Sequence, residues 1–349
     1  MTTASTGVRF AELTTFRVGG PVRRLVDIAS VDELAAVLAE AGDQPVLVLG
    51  GGSNLLVSDD GFDGTVARMV GDGLTVIGEA DDDEVHLIVE AGAAWDELVA
   101  HTVAEGWAGI EALSGIPGSV GATPIQNVGA YGQEVADVIT AVRTWDRETG
   151  AERRFAPADC GFAYRNSLFK RTSRYVVTAV EFHLTVGGQG APVRYAELAR
   201  TLGVDVGGSA PVAAVREAVL GLRRSKGMVL DPADHDTWSA GSFFTNPILS
   251  NAVAAAALPD DAPRYLAGEG LLKTSAAWLI EHAGFGKGFG ADLTGGRATL
   301  STKHTLALTN RGTASAADLL TLARAVRAGV VGRFGIELHH EPVLVGHTL

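Results

Sequence analysis

One cysteine, Cys160, stands among 349 residues. That excludes a disulfide framework and any C-x-x-C metal or redox pair, and it fits a reducing compartment. Beside Gly161 and Phe162, the lone thiol reads as a small core residue rather than a nucleophile. Positive charge is scarce as well: 28 Lys and Arg against 41 Asp and Glu leave a formal net charge of −13, with a sequence pI near 5.1. A continuous basic surface for nucleic acid or anionic lipid is thereby disfavoured, and an anionic ligand has to be held by local groups. No stretch reaches about 18 uninterrupted apolar residues, and the opening MTTASTGVRF carries neither the basic nor the apolar segment of a secretion signal. The expectation is a cytoplasmic protein without membrane insertion. The acidic run Asp81, Asp82, Asp83, Glu84 is compatible with a cation site, but such runs between strands are usually solvated loop. No metal site is expected elsewhere: His339 and His340 are adjacent, which does not suit one ion, and no H-E-x-x-H continues from them.

What is present is an apolar fraction of 46%, enough for two or three structural units. Short apolar runs alternate with helical patterns, the signature of a mixed α/β chain. Ser30 and Glu33 are spaced as a capping box for a short helix that Gly42 can close, and Val46 to Leu49 reads as a buried strand. Trp95, Leu98, Val99 and Val103 recur on one helical face ended by Gly106. Glu181 to Leu184 reads as a strand, and Gly187, Gly188 and Gly190 mark a boundary. Helices are expected around Val212 to Arg224 and Ala276 to His282. A last one, with Leu319, Leu322, Ala323 and Val326 on one face, precedes a terminal strand at Pro342 to Val345. No internal repeat is evident.

The motifs lie in loops. VLVLGGGSNLLV runs a strand into Gly50, Gly51 and Gly52, then Ser53, Asn54 and Leu55. Without Cβ atoms the glycines let backbone amides approach an anion such as a diphosphate, although a glycine triplet alone is more often a tight turn than a phosphate site. The spacing is not G-x-G-x-x-G and a strand follows, so a Rossmann site is disfavoured. A second loop, LSGIPGSVGATPIQNVGAYGQE, lies in a stretch with almost no charge, which is uncommon in a compact domain unless it wraps a ligand. Its Gly115, Gly118, Gly121 and Gly129 again favour exposed amides, with Ser119 as a hydroxyl donor and Gln126 and Asn127 suited to an amide-rich ring. Pro117 breaks the G-x-S-x-G pattern, so Ser119 is not a hydrolase elbow. Together the two loops suggest a dinucleotide held mainly by backbone. In AYRNSLFK, the cations Arg165 and Lys170 sit among apolar residues and either snorkel outward or face an anion. AGSFFTNP places Ser242 before two phenylalanines, where it is a turn serine or a donor. HHEPVLVG sets Glu341 before an apolar strand.

In series, GGGSNLLV, GIPGSVGATPIQNVGAYG, YRNSLFK, GSFFTNP and HHEP resemble the UDP-N-acetylenolpyruvoylglucosamine reductase (MurB) family, over nearly the whole chain from TTFRVGGP onward. The resemblance implies an α+β protein. A PCMH-type FAD-binding region over residues 1–186, with two α/β subdomains near 10–75 and 76–186, would precede a smaller α/β substrate-binding domain over 187–349. The terminal strand 339–346 would return to the flavin site. It implies non-covalent FAD, NADPH as co-substrate, UDP-N-acetylglucosamine enolpyruvate as substrate and a monomer. By position it implies that Arg165 stabilises charge, Ser242 donates a proton and Glu341 is the acidic partner. FAD contacts would come from Gly50 to Leu55, from Gly115, Pro117, Gly118, Ser119, Gly121 and Ala122, and from Ile125, Gln126, Asn127, Gly129 and Ala130. Tyr164, Lys226, Asn246 and His304 would contact substrate, and Tyr195 would belong to a loop that covers it. The acidic stretch 230–238 looks longer than the usual connection before G-S-F-F. Two other readings compete: a PCMH-type oxidase with covalent FAD, from which denaturation would not free the flavin, and a non-catalytic sensor of nucleotide sugars, which would not oxidise NADPH.

Overall fold

The computed structural model describes residues 4–5, 7–81, 83–170 and 172–349, and every element below lies among them. Two units are assembled from interleaved stretches of chain. The first comprises the described part of Met1–Val8 with Val22–Gly52 and Asp63–Ser225; the second comprises Arg9–Pro21, Ser53–Phe62 and Lys226–Leu349.

The first unit holds two large sheets besides a short two-stranded one, Gly129–Ala130 with Gln133–Glu134. One large sheet runs in the order Ala4–Ser5, Val22–Ile28, Phe62–Met69, Val46–Leu49. The helix Val31–Ala41 lays Leu34 and Val37 on Val26, Ile28 and Ala67. Ser30 caps that helix by accepting from Glu33 N at 3.2 Å. The expected reciprocal bond does not form, because the Glu33 carboxylate reaches one residue further and accepts from Ala29 N at 2.8 Å. Gly42 closes the helix at φ +53. The strand Val46–Leu49 is at the sheet edge, so of its residues Leu49 alone is buried, short of the fully buried strand expected.

The other sheet is antiparallel and six-stranded, with Ala151–Phe155, Ile139–Asp146, Tyr175–Val186, Glu84–Glu90 and Leu74–Asp81 in order and Trp107–Ala108 also paired to Tyr175–Val186. Strand Glu84–Glu90 alternates by twos, sending Val85, Leu87 and Val89 to the core and His86 to solvent. Trp95, Leu98 and Val99 of helix Trp95–Ala104 join that core, each burial stabilising by about 1.5–3 kcal/mol. The acidic run forms a hairpin end in which Asp81 pairs with Glu84. Asp83 and Glu84 are exposed, as a solvated turn requires, while Asp82 lies outside the described residues. Helices Ala196–Leu202 and Val212–Ser225 bury Leu198, Ala199, Val215 and Val219 against Val193 and Ala112.

The second unit is built around helix Ala316–Phe334. Leu319, Leu322, Ala323 and Val326 face inward, as their spacing requires, onto Phe16, Leu56, Phe243, Phe244 and Leu279. Its N-terminus carries a Ser315/Asp318 capping box. The Asp59 carboxylate accepts from Ala316 N at 2.8 Å and Ala317 N at 3.1 Å, a charge placement that stabilises by about 0.3–1 kcal/mol. Pro342 has no N–H to give, so the terminal strand begins at Val343, whose amide donates to Asn54 O at 3.0 Å as Val343–Val345 runs parallel to Leu55–Val57. Among the described residues no helix is long and apolar enough to cross a membrane.

Candidate active site

In the first unit the two glycine-rich segments meet. A Cβ on Gly50 would lie 2.3 Å from Ser119 Oγ, and one on Gly51 would lie 2.7 Å from Gly118 Cα. Only bare backbone fits there, and Gly52 adds a positive φ of 61°. Glycine segments of this kind leave their amides open to an anion, so the residues present fit a diphosphate held by main chain. The second loop is fixed from behind. Trp95 N donates to Gly118 O, Val120 N to Ala93 O and Gly121 N to Ala91 O, and a Cβ on Gly121 would strike that of Ala91 at 2.5 Å. Gly115 N donates to Asp96 Oδ1 at 2.6 Å, and Arg216 clamps the same carboxylate through both Nη atoms. Burial opposes ionisation of Asp96, but the bonds from Arg216 and Gly115 prevail and hold its carboxyl below the ordinary range.

Past this clamp the backbone is strained. Asn127, Tyr131 and Arg165 take φ of +45, +50 and +51, conformations that cost on the order of 1 kcal/mol or more each in a non-glycine residue and gather at functional sites. Arg165 turns inward rather than snorkelling: its guanidinium donates to Asn127 O at 3.3 Å and to Gly129 O. It lies 5.3 Å from the Tyr164 ring, and Lys170 Nζ donates to the Arg165 carbonyl at 2.7 Å. Ser167 Oγ donates to Ile125 O at 2.5 Å. The Asn127 side chain is committed within the loop, donating to Glu134 Oε2 at 2.7 Å and accepting from Ala136 N. Ala130 pairs with Gln133 across the following hairpin. Tyr195, half-exposed at the start of helix Ala196–Leu202, stands edge-on to Tyr131 with centroids 6.2 Å apart.

Sequence reading missed Glu111. Buried at 1% exposure, its carboxylate accepts from Gly109 N at 2.6 Å, Gln133 Nε2 at 2.8 Å and Ala191 N at 2.9 Å. It thus ties the glycine loop to the segment leading to Tyr195. The available signal was its isolation: a single carboxylate in an otherwise nearly uncharged stretch.

In the second unit, Ser242 and Glu341 come from segments a hundred residues apart that run side by side. Glu341 N donates to Phe243 O at 2.9 Å, Thr245 N donates to His339 O at 3.0 Å, and Phe244 bridges to His340. The rings of Phe243 and Phe244 are buried edge-on, 5.0 Å apart, which anchors the segment and leaves Ser242 at its half-buried start, after Gly241 at φ +70. Asn54 Nδ2 donates to Glu341 O at 3.3 Å, so Ser53, Asn54 and Leu55 belong here and Gly50–Gly52 to the first unit. The acidic stretch is pinned. Asp236 accepts from Thr302 N, Thr302 Oγ1 and Arg311 Nη1 within 2.8 Å, and Lys303 pairs with Asp234. His304 follows in the same turn. Asn246 Oδ1 accepts from Ala276 N at 2.9 Å, a bond that starts helix Ala276–His282. Lys226 follows directly on helix Val212–Ser225. Arg17, also missed, sits at φ +53 with its guanidinium 4.1 Å over the Trp238 ring.

Comparison with known proteins agrees with this layout. A family model described as an FAD binding domain matches residues 22–156, and one described as the UDP-N-acetylenolpyruvoylglucosamine reductase C-terminal domain matches 231–345. Curated relatives bearing that reductase's name include those of Thermobifida fusca, 55% identical over 100% of both chains, and Salinispora arenicola, 56% identical over 96% of this chain and 94% of the relative. The crystal structure of the reductase from Thermus caldophilus is 25% identical, with a TM-score of 0.66 over 99% of this chain and 100% of that one. The chain therefore belongs to the UDP-N-acetylenolpyruvoylglucosamine reductase family of FAD-dependent oxidoreductases.

Proposed function

We propose that this enzyme reduces UDP-N-acetylglucosamine enolpyruvate to UDP-N-acetylmuramate with NADPH, as a cytoplasmic monomer. Residues 1–186 would serve FAD and 187–349 the substrate. The observation that carries the reading is the backbone pairing of the segment that holds Ser242 with the segment that holds Glu341, within a chain of this family.

The glycine cradle of Gly50–Gly52 and Gly118 would hold FAD non-covalently, and FAD bound there would supply hydride-transfer chemistry between NADPH and the enolpyruvyl group. Hydride arrival pushes charge into the attached carboxylate. Arg165 offers a permanently charged forked donor to that charge, and loss of such a group costs on the order of 10²- to 10³-fold in rate. In support, its guanidinium is turned inward onto the carbonyls of Asn127 and Gly129, and Lys170 Nζ donates to the Arg165 main-chain carbonyl. Glu341 supplies the second polar contact to the carboxylate. Ser242 then donates the proton that sets the new stereocentre, a general-acid role worth roughly 10²- to 10⁴-fold. Tyr164, Lys226, Asn246 and His304 bind the substrate, and Tyr195 covers it. The test is Ser242→Ala: the variant is expected to keep its flavin and NADPH-driven flavin reduction while losing turnover. Normal product formation would reject the role.

A further inference from the structure

Away from the proposed active-site residues, the solvent face of the six-stranded sheet carries a second group of chemistry-bearing side chains. His86 and His183 are direct partners across adjacent antiparallel strands, and Glu84 lies two residues before His86 on the same face. The two imidazoles stack with centroids 4.9 Å apart and an interplanar angle of 14°. His183 Nε2 is 3.0 Å from Glu84 Oε2. That contact is not aligned as a hydrogen bond, and the nitrogen, sealed from water, has no other hydrogen-bond partner. One donor atom from each of the three residues lies within 4.8 Å of the others.

We propose that Glu84, His86 and His183 form a binding site for a borderline divalent transition ion, with Zn²⁺ the best match. Two imidazoles and one carboxylate are the donors such ions select, whereas Mg²⁺ and Ca²⁺ favour all-oxygen sets. Zn–N and Zn–O bonds near 2.0–2.1 Å put tetrahedral donors about 3.4 Å apart. Rotations of these side chains, none of them fully buried, that move a donor by about 1 Å close the difference. The ion gives the sealed His183 nitrogen, which makes no aligned hydrogen bond, a direct ligand bond and leaves coordination positions for water. A chain of net charge −13 raises the local concentration of cations. His183 lies nearly a hundred residues from Glu84 and His86, so the three donors follow no ligand-spacing motif that the sequence alone would reveal.

The FAD-loaded, full-length enzyme is titrated with Zn²⁺ by calorimetry and with Co²⁺ by visible absorption, alongside His86→Ala, His183→Ala and Glu84→Gln. The expected result is one equivalent bound, with the intense Co²⁺ bands of a four-coordinate site. Each variant should weaken binding by at least the roughly 10- to 100-fold that loss of even an outer-shell partner costs at metal sites. Far-UV circular dichroism of each variant should match the unmodified enzyme. The proposal is overturned by absence of binding to the unmodified enzyme, by an octahedral Co²⁺ spectrum, or by unchanged affinity in both histidine variants.

Discussion

Gly51→Ala tests the proposed FAD cradle with one methyl group. The new Cβ would lie 2.7 Å from Gly118 Cα and 3.0 Å from Gly118 C, where carbon atoms prefer about 3.5–4.0 Å. Both neighbours are backbone and cannot swing aside, so relief requires the 117–119 segment to retreat and the cradle to widen. Overpacking of this kind costs about 1–3 kcal/mol. Expressed wholly in cofactor affinity, that is about 5- to 150-fold weaker FAD binding. Gly50→Ala is expected to be milder, because its close contact at 2.3 Å is the hydroxyl end of Ser119, which can rotate. Gly42→Ala is the control: at φ +53 with nothing within 4 Å of its Cβ, it costs about 1–2 kcal/mol of stability and leaves FAD affinity unchanged. Fluorescence titration of FAD into apoprotein, with thermal unfolding of each apo variant, separates the two effects. Unchanged FAD affinity in Gly51→Ala, or equal loss in all three variants, would refute the cradle.

Glu111→Ala removes the acceptor shared by Gly109, Gln133 and Ala191 and is expected to cost about 3 kcal/mol, read as a lowered urea midpoint; an unmoved midpoint would show that these donors find other partners. Glu181 gives a pH-dependent prediction. Arg154 and then Arg143 hold its carboxyl down at about 2, against an ordinary 4.5. A depressed acid stabilises the fold above its ordinary range and loses that contribution as pH falls toward its folded value. The stability difference between the natural protein and Glu181→Gln, about 1–2 kcal/mol at neutral pH with its arginine partners partly exposed, should therefore shrink as pH falls from 4.5 toward 2. A gap that persists or widens on acidification would contradict the ion pairing.

Local signals in the sequence match the elements that form. The pattern at Val212 to Arg224 became the helix Val212–Ser225, Ala276 to His282 formed as read, and the inward stripe of helix Ala316–Phe334 follows its spacing. The α+β class and the FAD-binding region were legible from motifs in series. What failed locally was fine competition for a donor, as where Glu33 chose Ala29 N over the Ser30 amide. Less legible were arrangements made by distant segments. Glycine spacing suggests a nest, but not that Gly51 abuts Gly118. Nothing in G-S-F-F or H-H-E-P announces that Glu341 N bonds to Phe243 O. The left-handed backbone of Arg165 and Tyr131 is equally silent, since neither residue type favours positive φ, whereas Asn127 is of the non-glycine type that most often adopts it.

The most direct test mixes enzyme-bound FAD, reduced by NADPH without oxygen, with UDP-N-acetylglucosamine enolpyruvate while following flavin absorbance. Return of the oxidised spectrum with stoichiometric UDP-N-acetylmuramate is the predicted result. Flavin that stays reduced in the presence of that substrate would contradict the account.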